Sequence, residues 1–334
     1  MAGLVSLAGV WSASASIQPL SDPAGSWVPY APMSDEFDGA ELNSSKWSTD
    51  YTQWAGRQPG LFDASNVKVA NGSLTLLAQS GHRNSSWPVG YDNYTTSALH
   101  SVDKTLHGYF EVRSRSGSSS ISSSWWFHWN DGAGTWTEID VFESEGSDAP
   151  QASWHNSTMF CSHTHIFALA GVPQDELPAE CGCMPDPPGD IGRTRGRYKD
   201  DRACSLGGCM GISFAIDQGF HVYGLEWNQS MVGFYIDGAP VGKLPAACLT
   251  APIGMDFDRE TMPDWMGLPD PATLPDVPFE IDYVRAWKRT ADIRRPGPAR
   301  PQDHSPLSLK CRPTPNIADG RSPRPGRIMA RVDH

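Results

Sequence analysis

Eight residues, Thr137-Glu138-Ile139-Asp140-Val141-Phe142-Glu143-Ser144, set three carboxylates at i, i+2 and i+5 among β-branched and aromatic side chains. That composition suits a strand better than a helix. On a regular strand Glu138 and Asp140 share one face and Glu143 falls on the other. A β-bulge at Val141 and Phe142 would let two residues stand where one belongs, shift the side-chain phase and return Glu143 to the face of Glu138 and Asp140. Ile139 and the bulged pair then point into a core. Like charges crowded on one sheet face destabilise a fold and raise the proton affinity of one member. The chemistry such a cluster supports is cleavage of a glycosidic bond with retention. One ionised carboxylate attacks, and a second, about 5 Å away, delivers a proton to the leaving oxygen. In this reading Glu138 is the nucleophile, Glu143 the acid/base, and Asp140 the group between them that hydrogen-bonds the nucleophile. An acidic, solvated strand face is the alternative, since short Glu-x-Asp patterns also arise by chance.

The elements that must position these groups flank them in sequence. Ser122-Ser123-Ser124-Trp125-Trp126-Phe127-His128-Trp129 alternates with period two. Trp126 and His128 therefore share one face, while Trp125, Phe127 and Trp129 share the other, which reads as core. The turn Asn130-Asp131-Gly132-Ala133-Gly134 closes a hairpin into the acidic strand. His128 fits a hydrogen-bonded structural histidine as well as it fits a substrate ligand. The polar loop from Thr49 to Gly60 carries Tyr51, Trp54 and Arg57. An exposed Trp54 would stack on the apolar C–H face of a pyranose; the alternative is a ring packed under its own loop. Arg57 would hydrogen-bond sugar hydroxyls or an acidic substituent. Farther on, Cys161-Ser162-His163-Thr164-His165 holds a histidine pair at i, i+2. No third ligand is evident beside it and zinc sites use three or four, so no metal site is assigned. His163 is instead expected to hydrogen-bond sugar hydroxyls near Glu143.

Composition bounds the rest. The 334 residues include 32 glycines and 28 prolines between short apolar runs, the pattern of many short strands and turns. No apolar run approaches the roughly 18 residues that cross a bilayer, so a soluble protein with no membrane partner is expected. A formal charge of -12 argues against nucleic acid or an anionic membrane as partner. Beyond residue 290 stand nine Lys/Arg and four Asp/Glu, leaving 17 basic and 34 acidic groups before it. So acidic a domain favours a neutral glycan over a heavily sulfated one.

Residues 2 to 11 are mostly apolar, and Ala13-Ser14-Ala15 resembles a small-residue cleavage site, though a basic n-region is missing. Asn-x-Ser/Thr sequons begin at Asn43, Asn71, Asn84, Asn93, Asn156 and Asn228, which points to a secretory route. Six cysteines, Cys161, Cys181, Cys183, Cys204, Cys209 and Cys248, allow fifteen pairings. Disulfides are the default in a secreted chain. A zinc knuckle is the alternative, but the spacings are not C-x2-C pairs. Residues 170 to 212 read as a Cys-rich insertion that would wall the cleft. The segment 291–334, with eight prolines and nine basic residues, reads as a disordered tail whose Cys311 is the odd seventh.

Thr137-Glu138-Ile139-Asp140-Val141-Phe142-Glu143 resembles the E-[IL]-D-x-x-E signature of glycoside hydrolase family 16, in the version with the extra bulge residue. Collinear similarities run across residues 28 to 289: Ser34-Asp35-Glu36-Phe37-Asp38-Gly39, Gly56-Arg57-Gln58-Pro59-Gly60, His107 to Arg113, Gly219 to Trp227 and Phe279 to Arg285. The resemblance implies an all-β jelly-roll sandwich of two antiparallel sheets with the substrate across the concave one. It also implies Trp126 as the floor of the subsite where the bond is cut, no organic cofactor, and a structural Ca²⁺ on the convex side. The bulged signature, the Gly56-Arg57 pair and the Ser-Ser-x-Trp strand resemble the agarase, porphyranase and carrageenase branches. The expected protein is therefore a secreted, monomeric, retaining endo-glycosidase of an algal galactan, agarose-like in preference to sulfated. Its expected divisions are 1–27, a possible signal peptide and N-terminal segment, a catalytic domain at 28–290 and the tail. An endo-β-1,3-glucanase is the runner-up, although laminarinases more often carry Gly where Thr137 stands. A non-catalytic carbohydrate-binding jelly roll is the competing class.

Overall fold

A computed structural model describes residues 18–21, 25–51, 54–81, 86–146, 156–172, 181 and 204–293. All of them belong to the first of the chain's two units, Met1–Pro296. The 291–334 tail beyond Ile293, Cys183, Cys311, Asn84 and most of the 170–212 insertion lie outside the described residues.

The strands, numbered in chain order, form two sheets among the described residues. One runs β15 (Ala239–Pro245), β14 (Met231–Ile236), β13 (His221–Trp227), β8 (Gly108–Arg115), β17 (Phe279–Arg289), β5 (Ser73–Leu76) and β4 (Val67–Ala70), with β1 (Trp27–Pro29) also on β17. The other runs β12 (Cys204–Gly211), β11 (Met159–Ala168), β10 (Trp136–Ser144), β9 (Ser123–Asn130), β16 (Gly254–Arg259), β7 (Tyr94–Ser101) and β2 (Trp47–Ser48). Two short strands, β3 (Gly60–Phe62) and β6 (Gln79–Ser80), attach to β7. Neighbours pair antiparallel except β3 on β7. This is the expected jelly roll, and the acidic strand lies near the middle of the second sheet.

Period-two alternation builds the core. Trp125 and Phe127 of β9, Ile139 of β10, and Met255 and Phe257 of β16 turn inward and are fully buried. They meet Phe110, Val112, Leu225 and Val284 of the opposite sheet in one cluster. Trp125 stacks on Phe257 with ring centroids 6.3 Å apart, and Phe110 meets Phe127 at 5.1 Å across the sandwich. The residues between these point to the open face, so the same alternation that fills the core presents Trp126, His128, Asp256 and Asp258 to a ligand.

Two bridges cross-link this sheet's far edge and the loops. Cys161 pairs with Cys209 across β11 and β12, where the register sets them opposite each other, and Cys181 pairs with Cys248. Cys204 is likewise disulfide-bonded. Thiolate zinc ligation is thereby overturned for these five cysteines. The sequon residues Asn43, Asn156 and Asn228 spend their side-chain oxygens on turns, accepting from Ser45, Thr158 and Ser230. Such Asx turns give these Asn-x-Ser/Thr triplets a structural reason besides glycosylation. Among the described residues no helix is long and apolar enough to cross a membrane.

Candidate active site

The bulge is where the acidic strand requires it. Against β9, Glu138 lies opposite His128 and Asp140 opposite Trp126, but Phe142 and not Val141 lies opposite Trp125. One residue is thus added between Asp140 and Phe142. Val141 and Phe142 are both buried, and Phe142 reaches Tyr223 of the opposite sheet at 4.7 Å between centroids. The core therefore holds the irregularity in place, and Glu143 returns to the open face with Glu138 and Asp140.

Burial first, and crowding second, governs the protonation of these three groups. Desolvation, then the neighbouring Asp140 charge, lifts Glu143 to about 8, while His165 and Arg57 pull it down. Asp140 is lifted to about 8 by desolvation and by Asp258, against a hydrogen bond with Glu138 that favours its anion. Glu138 is also pushed well above the carboxylate range, by desolvation first and then Asp140; His165 and His128 oppose this. A raised Glu143 is what a proton donor needs. A raised Glu138 is the opposite of what a nucleophile needs; its hydrogen bond favours the Asp140 anion, so the groups that draw the proton off Glu138 are His165 and His128.

The sequence singled out His163, and register does place it opposite Asp140. The direct contact, however, belongs to its neighbour: His165 Nε2 lies 2.9 Å from Asp140 Oδ2, and His165 Nδ1 lies 2.7 Å from Ser205 Oγ on β12. Both histidines occupy the open face of β11, two residues apart, with ring centroids 5.7 Å apart. Register alone would still favour His163; the contact with His165 runs diagonally between β10 and β11, which side-chain conformation sets and residue order does not show. A second missed group is an acidic row on and just past β16. Asp256 accepts from Tyr51 Oη at 2.8 Å and pairs with His128 Nδ1 at 3.1 Å. Asp258 accepts from Trp126 Nε1 at 2.6 Å and from Ser122 at 3.1 Å. Glu260 accepts from Arg57 Nη2 at 3.1 Å. The alternation Met255-Asp256-Phe257-Asp258 held the signal: apolar inward, acid outward.

The remaining expected residues gather here too. Trp126 is on the open face and Trp125 in the core, as alternation requires. Trp54 is half-buried and not a free-standing platform, because its ring edge packs on Tyr51, Phe62 and Trp126, the last at 6.0 Å. Arg57 is 43% exposed, with its guanidinium 5.2 Å from the Trp265 ring and paired to buried Glu260. His128 is anchored by Asp256; burial lowers its pKa, but the Asp256 hydrogen bond and charge outweigh this and raise it. For the expected convex-side Ca²⁺, the described residues offer no cluster of three acidic side chains there. The one such group of potential side-chain ligands among them, Asp140, His163 and His165, lies in this site and is nitrogen-rich, whereas Ca²⁺ takes oxygen ligands.

Comparison with known proteins agrees with this geometry. The family profile described as Beta-porphyranase A-D, GH16 domain, matches residues 27–178. A protein named Beta-porphyranase B from Zobellia galactanivorans is 27% identical over 285 residues, covering 80% of this chain and 86% of its own. Kappa-carrageenase of Pseudoalteromonas carrageenovora is 24% identical over 252 residues, covering 70% of this chain and 55% of its own. Among solved structures, porphyranase B of Z. galactanivorans superposes with a TM-score of 0.61 at 25% identity, covering 80% of this chain and 94% of that one. Beta-agarase A in complex with oligoagarose has the same fold, with a TM-score of 0.61 at 16% identity over 83% of this chain and 98% of that one. The profile match spans the bulged acidic strand, and the jelly roll around it is the fold that these glycoside hydrolase family 16 proteins share.

Proposed function

We propose that the protein is a secreted, endo-acting, retaining β-glycosidase of an algal galactan, with porphyran ahead of agarose. The observation that carries the hydrolase reading is the extra residue at Val141, which turns Glu138, Asp140 and Glu143 onto one open face. Glu138 attacks the anomeric carbon while Glu143 protonates the departing oxygen; Glu143, now a base, draws a proton from water that frees the glycosyl group. Asp140 shares a hydrogen bond with Glu138, and His165 and His128 draw the proton off Glu138. Trp126 and Trp54 supply apolar ring surface to the sugars, and Arg57 a cation at the end of the aromatic cluster. The relatives' names and the exposed part of Arg57 favour porphyran, a shift from the agarose-like preference that net charge alone suggested.

The test is reducing-end release from porphyran, agarose, κ-carrageenan and laminarin by purified protein. Release from porphyran, with oligosaccharides longer than a disaccharide appearing early, is the expected result. Release from laminarin alone would move the enzyme to the glucanases. Binding of a galactan with no release from any of the four would make it a lectin.

A further inference from the structure

The sequence shows a His163-x-His165 pair with no third ligand, and the strand register supplies one. Asp140 stands opposite His163 across β10 and β11. Asp140, His163 and His165 each offer one ligand atom, and these atoms lie within 4.8 Å of one another. A tetrahedral Zn²⁺ bonded at about 2.0–2.1 Å requires ligand atoms about 3.3 Å apart. The His165 Nε2 to Asp140 Oδ2 separation of 2.9 Å must open slightly, and the gaps to His163, no more than 4.8 Å, must close. Two imidazoles and one carboxylate form a borderline-soft set that suits Zn²⁺, not the hard cations. Three protein ligands leave a fourth position for water.

Ser205 makes the site convertible. Ligating histidines hold their second ring nitrogen on a partner, and Ser205 Oγ stands 2.7 Å from His165 Nδ1. A hydroxyl both donates and accepts. It can donate to Nδ1 while the proton sits on Nε2, 2.9 Å from Asp140 Oδ2, or accept from Nδ1–H while the Nε2 lone pair binds a metal. The ring passes between these states without losing its Ser205 bond. Metal entry leaves the ring's proton count unchanged, since the proton lost from Nε2 is matched by one taken up at Nδ1, and it draws the Asp140 carboxylate out of its hydrogen bond with Glu138.

We infer that Asp140, His163 and His165 form a Zn²⁺ site and that occupancy arrests the enzyme. The arrest rests on the hydrolase reading; the metal site does not. The experiment is equilibrium dialysis of the EDTA-stripped full chain against micromolar ZnCl₂, with porphyran hydrolysis followed in parallel. One Zn²⁺ per chain is expected. It should be lost in His163→Ala and in Asp140→Asn, bound about 10–100-fold more weakly in Ser205→Ala, and kept in His221→Ala, whose ring pairs with Asp237 at the start of β13. Co²⁺ in place of Zn²⁺ should give tetrahedral visible bands in the unaltered chain and none in His163→Ala. Should circular dichroism show His163→Ala unfolded, Asp140→Asn and Ser205→Ala decide. No stoichiometric Zn²⁺, or Zn²⁺ retained in the folded variants, overturns the site. Hydrolysis undiminished with the site filled overturns the arrest. A chain that binds Zn²⁺ and cleaves no glycan keeps the site and sinks the hydrolase reading instead.

Discussion

The open faces of the two sheets are both rich in charge and treat it in opposite ways. On the first sheet carboxylates mostly meet a guanidinium, Arg113 with Asp282 at 2.7 Å, Arg115 with Glu280 at 2.6 Å and Arg285 with Glu36 at 2.8 Å, with buried Glu111, raised by desolvation, as the exception. On the second, Glu138, Asp140, Glu143, Asp258 and Glu260 stand close enough to lift one another's pKa, met only in part by His165, His128 and Arg57. Alternation along the strands is the same in both. What separates scaffold from site is therefore not where charge sits but whether it is matched. Matched surface pairs add little, about 0–1 kcal/mol each. Unmatched, desolvated carboxylates must take up protons, and a fold that keeps several of them has given up stability for chemistry.

The sharpest break in the comparison is removal of single acids from the second face. Glu138→Gln should lower kcat at least about 10⁴-fold, the scale for loss of a nucleophile, while oligosaccharide binding measured by calorimetry persists. Glu143→Gln should cost about 10²–10⁴-fold and remove the alkaline limb of the pH–rate profile. That limb follows from a Glu143 lifted to about 8: above this pH the proton owed to the leaving oxygen is gone. An alkaline limb unchanged in Glu143→Gln would assign the proton to another group.

Arg57→Ala addresses the one arginine that the second face uses among the described residues. It should reduce kcat/KM on porphyran about tenfold, the value of one charge-assisted hydrogen bond, and reduce it less on agarose. Equal losses on both polymers would mean that Arg57 serves Glu260 and not an anionic substituent.

Mismatch should also be visible in stability. Unfolded, Asp140 and Glu143 titrate near 4; folded, both hold their protons up to about 8. Between those limits the folded chain keeps protons that the unfolded chain releases, so stability falls as pH rises across that window. Glu143→Gln cannot ionise and escapes this loss. Its Tm should exceed that of the unaltered chain by a few degrees, roughly, at pH 8, and the gap should vanish below roughly pH 3, where both acids are neutral in either state.

Much of this was legible from residue order, and what was not has one physical cause. The bulge followed from three acids whose spacing could not share a face without it, and Trp125 inward with Trp126 outward followed from period two. Both are local, set by neighbours in the chain. His165, Asp256, Asp258 and Glu260 escaped because their importance depends on which strands lie side by side. β16 pairs with β9 although more than 120 residues separate them, and no pattern within either strand specifies that. Trp54 shows the same limit: its loop was identified, but not that Tyr51, Phe62 and Trp126 would crowd its ring edge.

The smallest effect belongs to the matched face. Arg113 and Asp282 are each 39% exposed at the side chain, so water already screens their attraction. Asp282→Asn or Arg113→Ala should cost at most about 1 kcal/mol, a Tm change of about 2–4 °C, with kcat and KM unchanged on every substrate. The double variant should lose no more than the worse single one, because the second substitution has no pair left to break. A fall in kcat from either change would show that the two sheets share a catalytic burden, and the division between a matched scaffold and an unmatched site would fail.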